Sequence, residues 1–401
     1  MNDRIRQSFS VPFTYPVCFT RGVFAPGNET LASVFEPTAE PGASARVLAF
    51  VDAGLAAAQP DFPLRLERWF AARAPRLDLV AAPVPVPGGE AVKNDYRLIM
   101  AALDQMLEYR LCRQSYVLVA GGGAVLDAVG FAAALVHRGL RLVRLPSTTL
   151  AQNDAGLGVK NGMNLHGQKN AIGVFAPPAA VVNDLDLLSS LPLAHWLGGV
   201  AEAFKVALIK DAAFFHQLCA DAARYPAREP AAMEALVRRC AALHLDHIRT
   251  SGDPFEMGSA RPLDCGHWAA HRLESLSGYR MPHGQAVAFG LALDAEYAAA
   301  QGWLAPVDCQ RLLAGLETAG FSLWDAVLDD GPLAADHPLF EGLALFREHL
   351  GGQLTVTLPW PLGQRIEVHE MDRARLVAGL ERLRARARGR APAAAGAPVT
   401  V

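Results

Sequence analysis

The chain has 401 residues, 51% of them hydrophobic, with 37 basic against 40 acidic side chains and a formal net charge of −3. That length suits one large domain or two ordinary ones, and the charge balance excludes a general affinity for nucleic acid or an anionic membrane. No apolar run reaches the roughly 20 residues of a spanning helix.

The first residues, MNDRIRQSFSVPFTYPV, lack the apolar core of a secretory signal. Six cysteines (Cys18, Cys112, Cys219, Cys240, Cys265, Cys309) are scattered without CxxC pairs. They read as reduced thiols of a cytoplasmic protein, not as a disulfide framework or a zinc ribbon.

From Arg46 onward, short β-branched runs alternate with helical stretches. RVLAFVDAG (46–54) precedes the amphipathic DFPLRLERWFAARA, and LDLVAAPVP (77–85) precedes AVKNDYRLIMAALDQMLEYRL. YVLVAGGG (116–123) leads into AVLDAVGFAAALVHRG, and LRLVRLPST follows. This alternation predicts a parallel sheet covered by helices on both faces. Gly121, Gly122 and Gly123 sit between strand and helix, where glycine lets the backbone approach a pyrophosphate at a helix N-terminus. The pattern is neither GxGxxG nor the lysine-bearing phosphate loop. Asp52 ends a strand, and PGGEAVK offers Glu90 and Lys93. Such acidic groups hold ribose hydroxyls or equally cap helices.

The run LPSTTLAQNDAGLGVKNGMNLHGQKNAIG (145–173) collects Ser147, Thr148, Thr149, Asn153, Asp154, Lys160, Asn164, Lys169 and Asn170. Long irregular segments inside compact domains tend to be functional, so a working loop is expected here. Beyond Leu188 the strand pattern stops. AHWLGGVAEAFKVALIKDAAFFHQLCADAARY and AAMEALVRRCAALHLDHIRT place apolar residues at helical spacing. The expected organisation is an α/β domain over 1–188, a helical domain over 189–385 and a disordered tail rich in Arg, Ala and Pro over 386–401. The cleft between the domains is the expected site.

Within GHWAAHRLESLSGYRMPHG (266–284), His267 and His271 lie four apart and share a helix face. A catalytic zinc takes histidine nitrogens and a carboxylate and keeps one position open. No HExxH is present, so the carboxylate must come from elsewhere. Glu202 is a candidate, in an apolar helix three residues before Lys205. A buried glutamate is rare unless paired or metal-bound. The residues alone leave both readings open: a metal site, or a Glu202–Lys205 ion pair with packed histidines.

Taken in order, GGGAVLDAVGFAAALVHRG, LPSTTLAQND, GLGVKNGMN, GQKNAIG, PPAAVVNDLDLL, AEAFKVALIKD, GHWAAH and HGQAVAFG resemble the 3-dehydroquinate synthase superfamily, more broadly the sugar phosphate cyclases. The resemblance covers residues 46–358. It implies an N-terminal Rossmann-like parallel α/β domain followed by an all-helical C-terminal domain. It implies NAD contacts from Asp52, Glu90, Lys93, Gly122, Gly123, Asp127, Ser147, Thr148, Asp154 and Lys160. Glu202, His267 and His283 would hold Zn2+ or Co2+. Asp154, Lys160, Asn170, Lys205 and His271 would face the substrate, with Lys169 beside the asparagine. Arg138 would reach a phosphate in the neighbouring subunit of a homodimer. The implied reaction oxidises a ring hydroxyl, eliminates phosphate, returns the hydride and closes a carbocycle by an aldol step, with no net redox change.

The chain departs from the superfamily pattern where the usual heptulosonate carboxylate is bound. Asp246 stands where a lysine is usual, Ala260 where an arginine is usual, with Arg261 shifted by one, and Asp264 where an asparagine is usual. FREHLGG (346–352) replaces a double-lysine segment, and Gln285 replaces the glutamate of HGE, a change expected to alter the surroundings of the metal ligands. Replacing cations with Asp and Ala argues against a carboxylate ligand. The expectation is therefore a cyclase of sedoheptulose 7-phosphate giving a valiolone-type C7 cyclitol. The alternatives are 3-dehydroquinate synthase itself and a metal-dependent NAD alcohol dehydrogenase.

Overall fold

The computed structural model describes residues 4–36, 44–166, 168–255, 263–349 and 352–389. Ala260, Arg261 and the stretch 390–401 of the expected tail lie outside the described residues. The chain divides into two compact units. One comprises the residues up to Ser147 together with Gly158–Ser190, the other Thr148–Leu157 together with those from Leu191 on.

The first unit is a parallel sheet with covering helices. Its elements in order are β1 (Val17–Thr20), β2 (Ala45–Asp52), α1 (Ala53–Ala58), α2 (Phe62–Ala71), β3 (Leu77–Leu79), β4 (Val84–Val86) and α3 (Tyr96–Glu108). Then come β5 (Tyr116–Gly121), α4 (Gly123–Leu135), β6 (Arg141–Pro146), β7 (Lys160–Leu165), β8 (Gln168–Phe175) and β9 (Ala180–Asp184). The sheet order is β1-β9-β6-β5-β2-β3, with β4 also paired to β2, and every pairing is parallel. β5 is buried along its whole length, as a strand covered on both faces must be. Leu118 of β5 forms the core with Val47 and Ala49 of β2, Val143 of β6, Val182 of β9 and Phe62, Trp69 and Phe70 of α2. Asp52 and Asp95 begin α1 and α3, each accepting a hydrogen bond from the backbone two residues on.

The polar run 145–173 is not a loop. Ala151–Ala155 makes a single π-helical turn, and β7 and β8 pair as an antiparallel hairpin. Lys, Asn, Gly and Gln have little intrinsic strand preference, so the hairpin was invisible in the sequence. Tertiary contacts hold it. Arg144, fully buried on β6, donates to the carbonyls of Gly158 (2.6 Å) and Lys160 (3.1 Å) and to Asn161 Oδ1 (2.7 Å).

The second unit contains α5 (Leu193–Lys210), α6 (Ala212–Asp221), α7 (Pro230–Thr250), α8 (His267–Leu276), α9 (His283–Ala300), α10 (Pro306–Thr318), α11 (Glu341–His349) and α12 (Arg373–Gly389). α9 is buried on nearly every side, because α5, α8, α10 and α12 all pack on it. Two details depart from the expectation. A short antiparallel hairpin, β10 (Val356–Pro359) with β11 (Arg365–Val368), interrupts the helical unit. α12 also continues to Gly389, past the expected start of the tail at 386. The segment 148–157 is tied to α5: Thr149 Oγ1 donates to His195 O (2.8 Å) and Asn153 Nδ2 to Gly199 O (2.7 Å). None of the six cysteines is paired. Among the described residues no helix is long and apolar enough to cross a membrane.

Candidate active site

In the first unit, the glycine turn leads into α4 as the sequence suggests. Gly122 is the N-cap and no side chain caps the helix. The first-turn amides of α4 thus suit an anionic group. Asp52 stands at this turn, its carboxylate accepting from Gly54 N (2.8 Å) and Gly122 N (3.3 Å). Ser147 N donates to Gly121 O (2.9 Å), so the end of β6 abuts the same turn. Beside it runs a polar network. Lys93 donates to Asp127 Oδ2 (2.8 Å) and to Asn170 Oδ1. Asn170 N donates to Asn164 Oδ1 (2.9 Å), and Asn164 Nδ2 to Glu90 Oε1 (3.1 Å). Burial pushes the Asp127 carboxyl up while Lys93 opposes it. Asn170, expected at the substrate, is thus hydrogen-bonded to Lys93, which was expected at the dinucleotide.

In the second unit, three histidine rings cluster. The His267 centroid lies 5.4 Å from that of His271 and 5.6 Å from that of His283. Glu202 on α5 is 1% exposed and faces two kinds of partner. Its Oε2 lies 2.5 Å from Lys205 Nζ, and its Oε1 lies 3.1 Å from His283 Nε2 and 3.6 Å from His267 Nε2. The ion-pair reading and the ligand reading of Glu202 are thus compatible, one per oxygen. Ligand atoms of Glu202, His267 and His283 all fall within 4.8 Å of one another.

The Nδ1 nitrogens of His267 and His283 are both engaged. His267 Nδ1 meets Cys265 O at 3.2 Å, and His283 Nδ1 meets Glu274 Oε1 at 3.3 Å. With Nδ1–H donating outward, both Nε2 lone pairs point to the Glu202 side, which is how a metal-binding histidine is oriented. The donor set, two neutral imidazoles and one carboxylate, fits zinc or cobalt. His271, Glu274 and His283 form a second group of donor atoms within the same distance, sharing His283.

From Glu202 the charges alternate onward. Lys205 Nζ lies 3.1 Å from Asp154 Oδ2, and Asp154 Oδ1 lies 3.1 Å from His244 Nδ1. Burial works against the Lys205 charge, but Asp154 and Glu202 outweigh it and raise its pKa. Burial likewise works against the Glu202 charge, yet Lys205 and the histidines hold its pKa well below the usual carboxylate range. Asp154 owes its place to the π-helical turn, a feature common at functional sites. His244 was not among the predicted site residues. Its position on α7, opposite Asp154, is visible only once the helices pack.

Glycine permits the close approaches around the histidines. A Cβ on Gly284, next to His283, would lie 2.6 Å from Gly198 O of α5. Gly266 adopts φ +79° just before His267, and Asp294 of α9 holds that turn by accepting from Gly266 N (2.7 Å) and Trp268 Nε1 (2.9 Å).

The remaining predicted residues are dispersed. Thr148 accepts from Ala151 N (3.2 Å). Lys160 is exposed at the start of β7, and Lys169 is half-buried on β8. Arg138 is exposed at the positive-φ corner after α4 and has no hydrogen-bond or ion-pair partner among the described residues. Gln285 exchanges hydrogen bonds with the backbone of Ser322 and so pins a loop, where a role around the ligands was expected. Asp246, which stands where a carboxylate-binding lysine is usual, is half-buried and paired with Arg249 (2.7 Å) and Lys210 (3.8 Å). Asp264 is the buried one. Burial pushes its pKa up, while Thr357, His267 and Lys205 oppose the shift.

Residues 83–197 match the model of the 3-dehydroquinate synthase N-terminal domain, and residues 199–335 that of the 3-dehydroquinate synthase C-terminal domain. A 3-dehydroquinate synthase of Rhizobium etli is 33% identical over 305 residues, 75% of this chain and 80% of that protein. The structure resembles ValA, the 2-epi-5-epi-valiolone synthase of Streptomyces hygroscopicus subsp. jinggangensis 5008 solved with NAD+ and Zn2+ bound. The TM-score is 0.84 at 26% identity, covering 95% of this chain and 100% of that one. A 2-deoxy-scyllo-inosose synthase solved with carbaglucose-6-phosphate, NAD+ and Co2+ shares the fold, with a TM-score of 0.69 at 22% identity over 87% of this chain and 90% of that one.

Proposed function

The chain belongs to the 3-dehydroquinate synthase family, and on that premise we propose that it is a sugar phosphate cyclase acting on sedoheptulose 7-phosphate to give a valiolone-type C7 cyclitol and phosphate. NAD and a divalent metal, Zn2+ or Co2+, are its proposed cofactors, in keeping with those bound to ValA. Glu202, His267 and His283 would hold the metal, and the N-terminus of α4 with Asp52, Glu90, Lys93 and Asp127 would hold NAD. When bound, the metal supplies Lewis-acid polarisation of a hydroxyl, and NAD a reversible hydride acceptor.

The chain's own residues do the rest. Lys205, kept cationic between Asp154 and Glu202, lowers the pKa of a substrate hydroxyl placed against it. Asp154, between Lys205 and His244, offers an acceptor through which that hydroxyl proton leaves. Lys160, Lys169 and Asn170 on the hairpin would bind the sugar phosphate, and Arg138 would reach the phosphate bound in the neighbouring subunit of a homodimer. His271, beside both ligand histidines, would face the substrate ring.

The observation that carries the choice of substrate is Asp264. A buried carboxyl three residues before His267, pushed towards its neutral form by burial, offers a substrate carboxylate no cation and can hydrogen-bond a neutral hydroxymethyl end. A charge-assisted hydrogen bond to a carboxylate contributes roughly 1.5–3 kcal/mol. Lacking two, at Asp246 and Ala260, removes about two to four decades of affinity for the acidic substrate. The second reading, 3-dehydroquinate synthase itself, has the names of the curated relatives in its favour.

Phosphate release assayed with NAD+, Zn2+ or Co2+ and a panel of sugar phosphates separates the two. Sedoheptulose 7-phosphate is expected to exceed the acidic heptulosonate phosphate by at least about a hundredfold in kcat/KM. Equal or better turnover of the acidic substrate returns the chain to dehydroquinate synthesis.

A further inference from the structure

We propose that His244 is a positioning residue of the reaction: its Nδ1–H fixes one oxygen of Asp154, so that the other oxygen and Lys205 keep the geometry a substrate hydroxyl needs. Along α7, Met233, Val237, Cys240 and Ala241 belong to the buried stripe. Positions 244 and 248 continue it at the same spacing, and they hold His244 and Ile248. An imidazole thus stands where the helix calls for an apolar side chain. α7 packs against both α5 and the π-helical turn Ala151–Ala155, and the His244 side chain is 17% exposed.

The charge of Asp154 decides how the ring faces it. Asp154 Oδ2 lies 3.1 Å from Lys205 Nζ, and Asp154 with Glu202 keeps that lysine cationic. A carboxylate beside an ammonium only accepts hydrogen bonds. His244 Nδ1, 3.1 Å from Asp154 Oδ1, therefore carries the hydrogen. Each oxygen of Asp154 then has its own basic partner, one on α5 and one on α7.

The consequence falls on Lys205. An ammonium has three hydrogens. One faces Glu202 Oε2 (2.5 Å), a second faces Asp154 Oδ2 (3.1 Å), and the third is left for a substrate hydroxyl. Were Oδ1 released, rotation of the carboxylate would bring it onto Lys205 as well and occupy that third hydrogen. The ring on α7 prevents the rotation without itself reaching the reacting atoms.

This inference rests on the cyclase reading for its kinetics, and a spectroscopic arm stands apart from that reading. Long-range proton–nitrogen spectra of the full Zn2+-loaded chain read the ring hydrogens directly. His244 is expected to carry a hydrogen on Nδ1, with a signal absent from His244→Leu and shifted by Asp154→Asn. In phosphate release, His244→Leu is expected to lower kcat about ten- to a hundredfold while KM changes less than about threefold. His244→Asn, whose amide N–H replaces Nδ1–H, is expected to recover kcat to within about threefold of the unmodified chain. In an Asp154→Asn background, His244→Leu is expected to change kcat less than about twofold, because its partner is already lost, whereas a packing role would add its full effect. Circular dichroism, thermal melting and Zn2+ content check that each variant is folded and loaded. Three results overturn the proposal: a His244 Nδ1 without a hydrogen, an unchanged kcat in His244→Leu, or a full further loss in the Asp154→Asn background. A chain that releases phosphate from no sugar phosphate, yet keeps the Nδ1–H signal and its response to Asp154→Asn, overturns the cyclase reading and supports the pairing.

Discussion

His283 stands between two carboxylates, Nε2 towards Glu202 and Nδ1 towards Glu274. Burial opposes its charge, but the two carboxylates lift its pKa to about 9. In the metal-free chain this raised value means that the charged ring contributes stability fully present below about pH 6.5 and lost as pH rises through about 9. The same proton must leave before Nε2 can take a metal. Metal uptake is therefore expected to release about one proton per ion below pH 9, with affinity rising about tenfold per pH unit up to that point. Zn2+ titration calorimetry in two buffers of different ionisation enthalpy measures this, and uptake without proton release between pH 7 and 8 contradicts it. Glu274→Gln keeps an acceptor for Nδ1–H but removes the charge, and should weaken Zn2+ binding about tenfold.

At the scale of elements, the candidate site depends on how tightly α8 and α9 meet. A Cβ on Gly290 would lie 2.0 Å from Gly266 O, a backbone atom that cannot move aside without shifting the start of α8. Gly290→Ala is expected to cost about 1–3 kcal/mol of stability. It should also lower metal affinity, because His267 begins the displaced helix. Thermal melting of the metal-free chain and chelator competition measure the two effects separately. An unchanged melt would mean that the contact is slack. Asp294 supports the same junction from inside α9, and the hydrogen bonds it accepts from Gly266 N, Trp268 Nε1 and Cys265 Sγ explain how an acidic residue comes to be fully buried in a helix core.

For the molecule as a whole, the proposed reaction begins and ends at the same oxidation level. A cyclase regenerates NAD within each turnover, whereas an alcohol dehydrogenase consumes it. With NAD supplied well below the sugar phosphate, phosphate release is expected to exceed the NAD present many times over, and absorbance at the NADH band should not climb. NADH accumulating in step with product would support the dehydrogenase reading.

The amino-acid pattern by itself determined the division into a parallel α/β part and a helical part, because buried parallel strands read as unbroken apolar runs and helices as a 3.6-residue period. It also made Glu202, Lys205 and the three histidines stand out, since ionisable groups in apolar helices need partners. Other features were decided only by tertiary structure. The β7–β8 hairpin has no strand signal of its own and depends on Arg144 and on packing against α4. The segment 148–157 joins the helical unit through Thr149 and Asn153, which no local propensity encodes. His244 meets Asp154, Asp264 is buried beside Thr357, and Asp246 finds Lys210 and Arg249, because each outcome depends on which faces are brought together. Spacing along a chain fixes which residues share a face, while the charge a residue meets across the packing is set by a partner tens or hundreds of residues away.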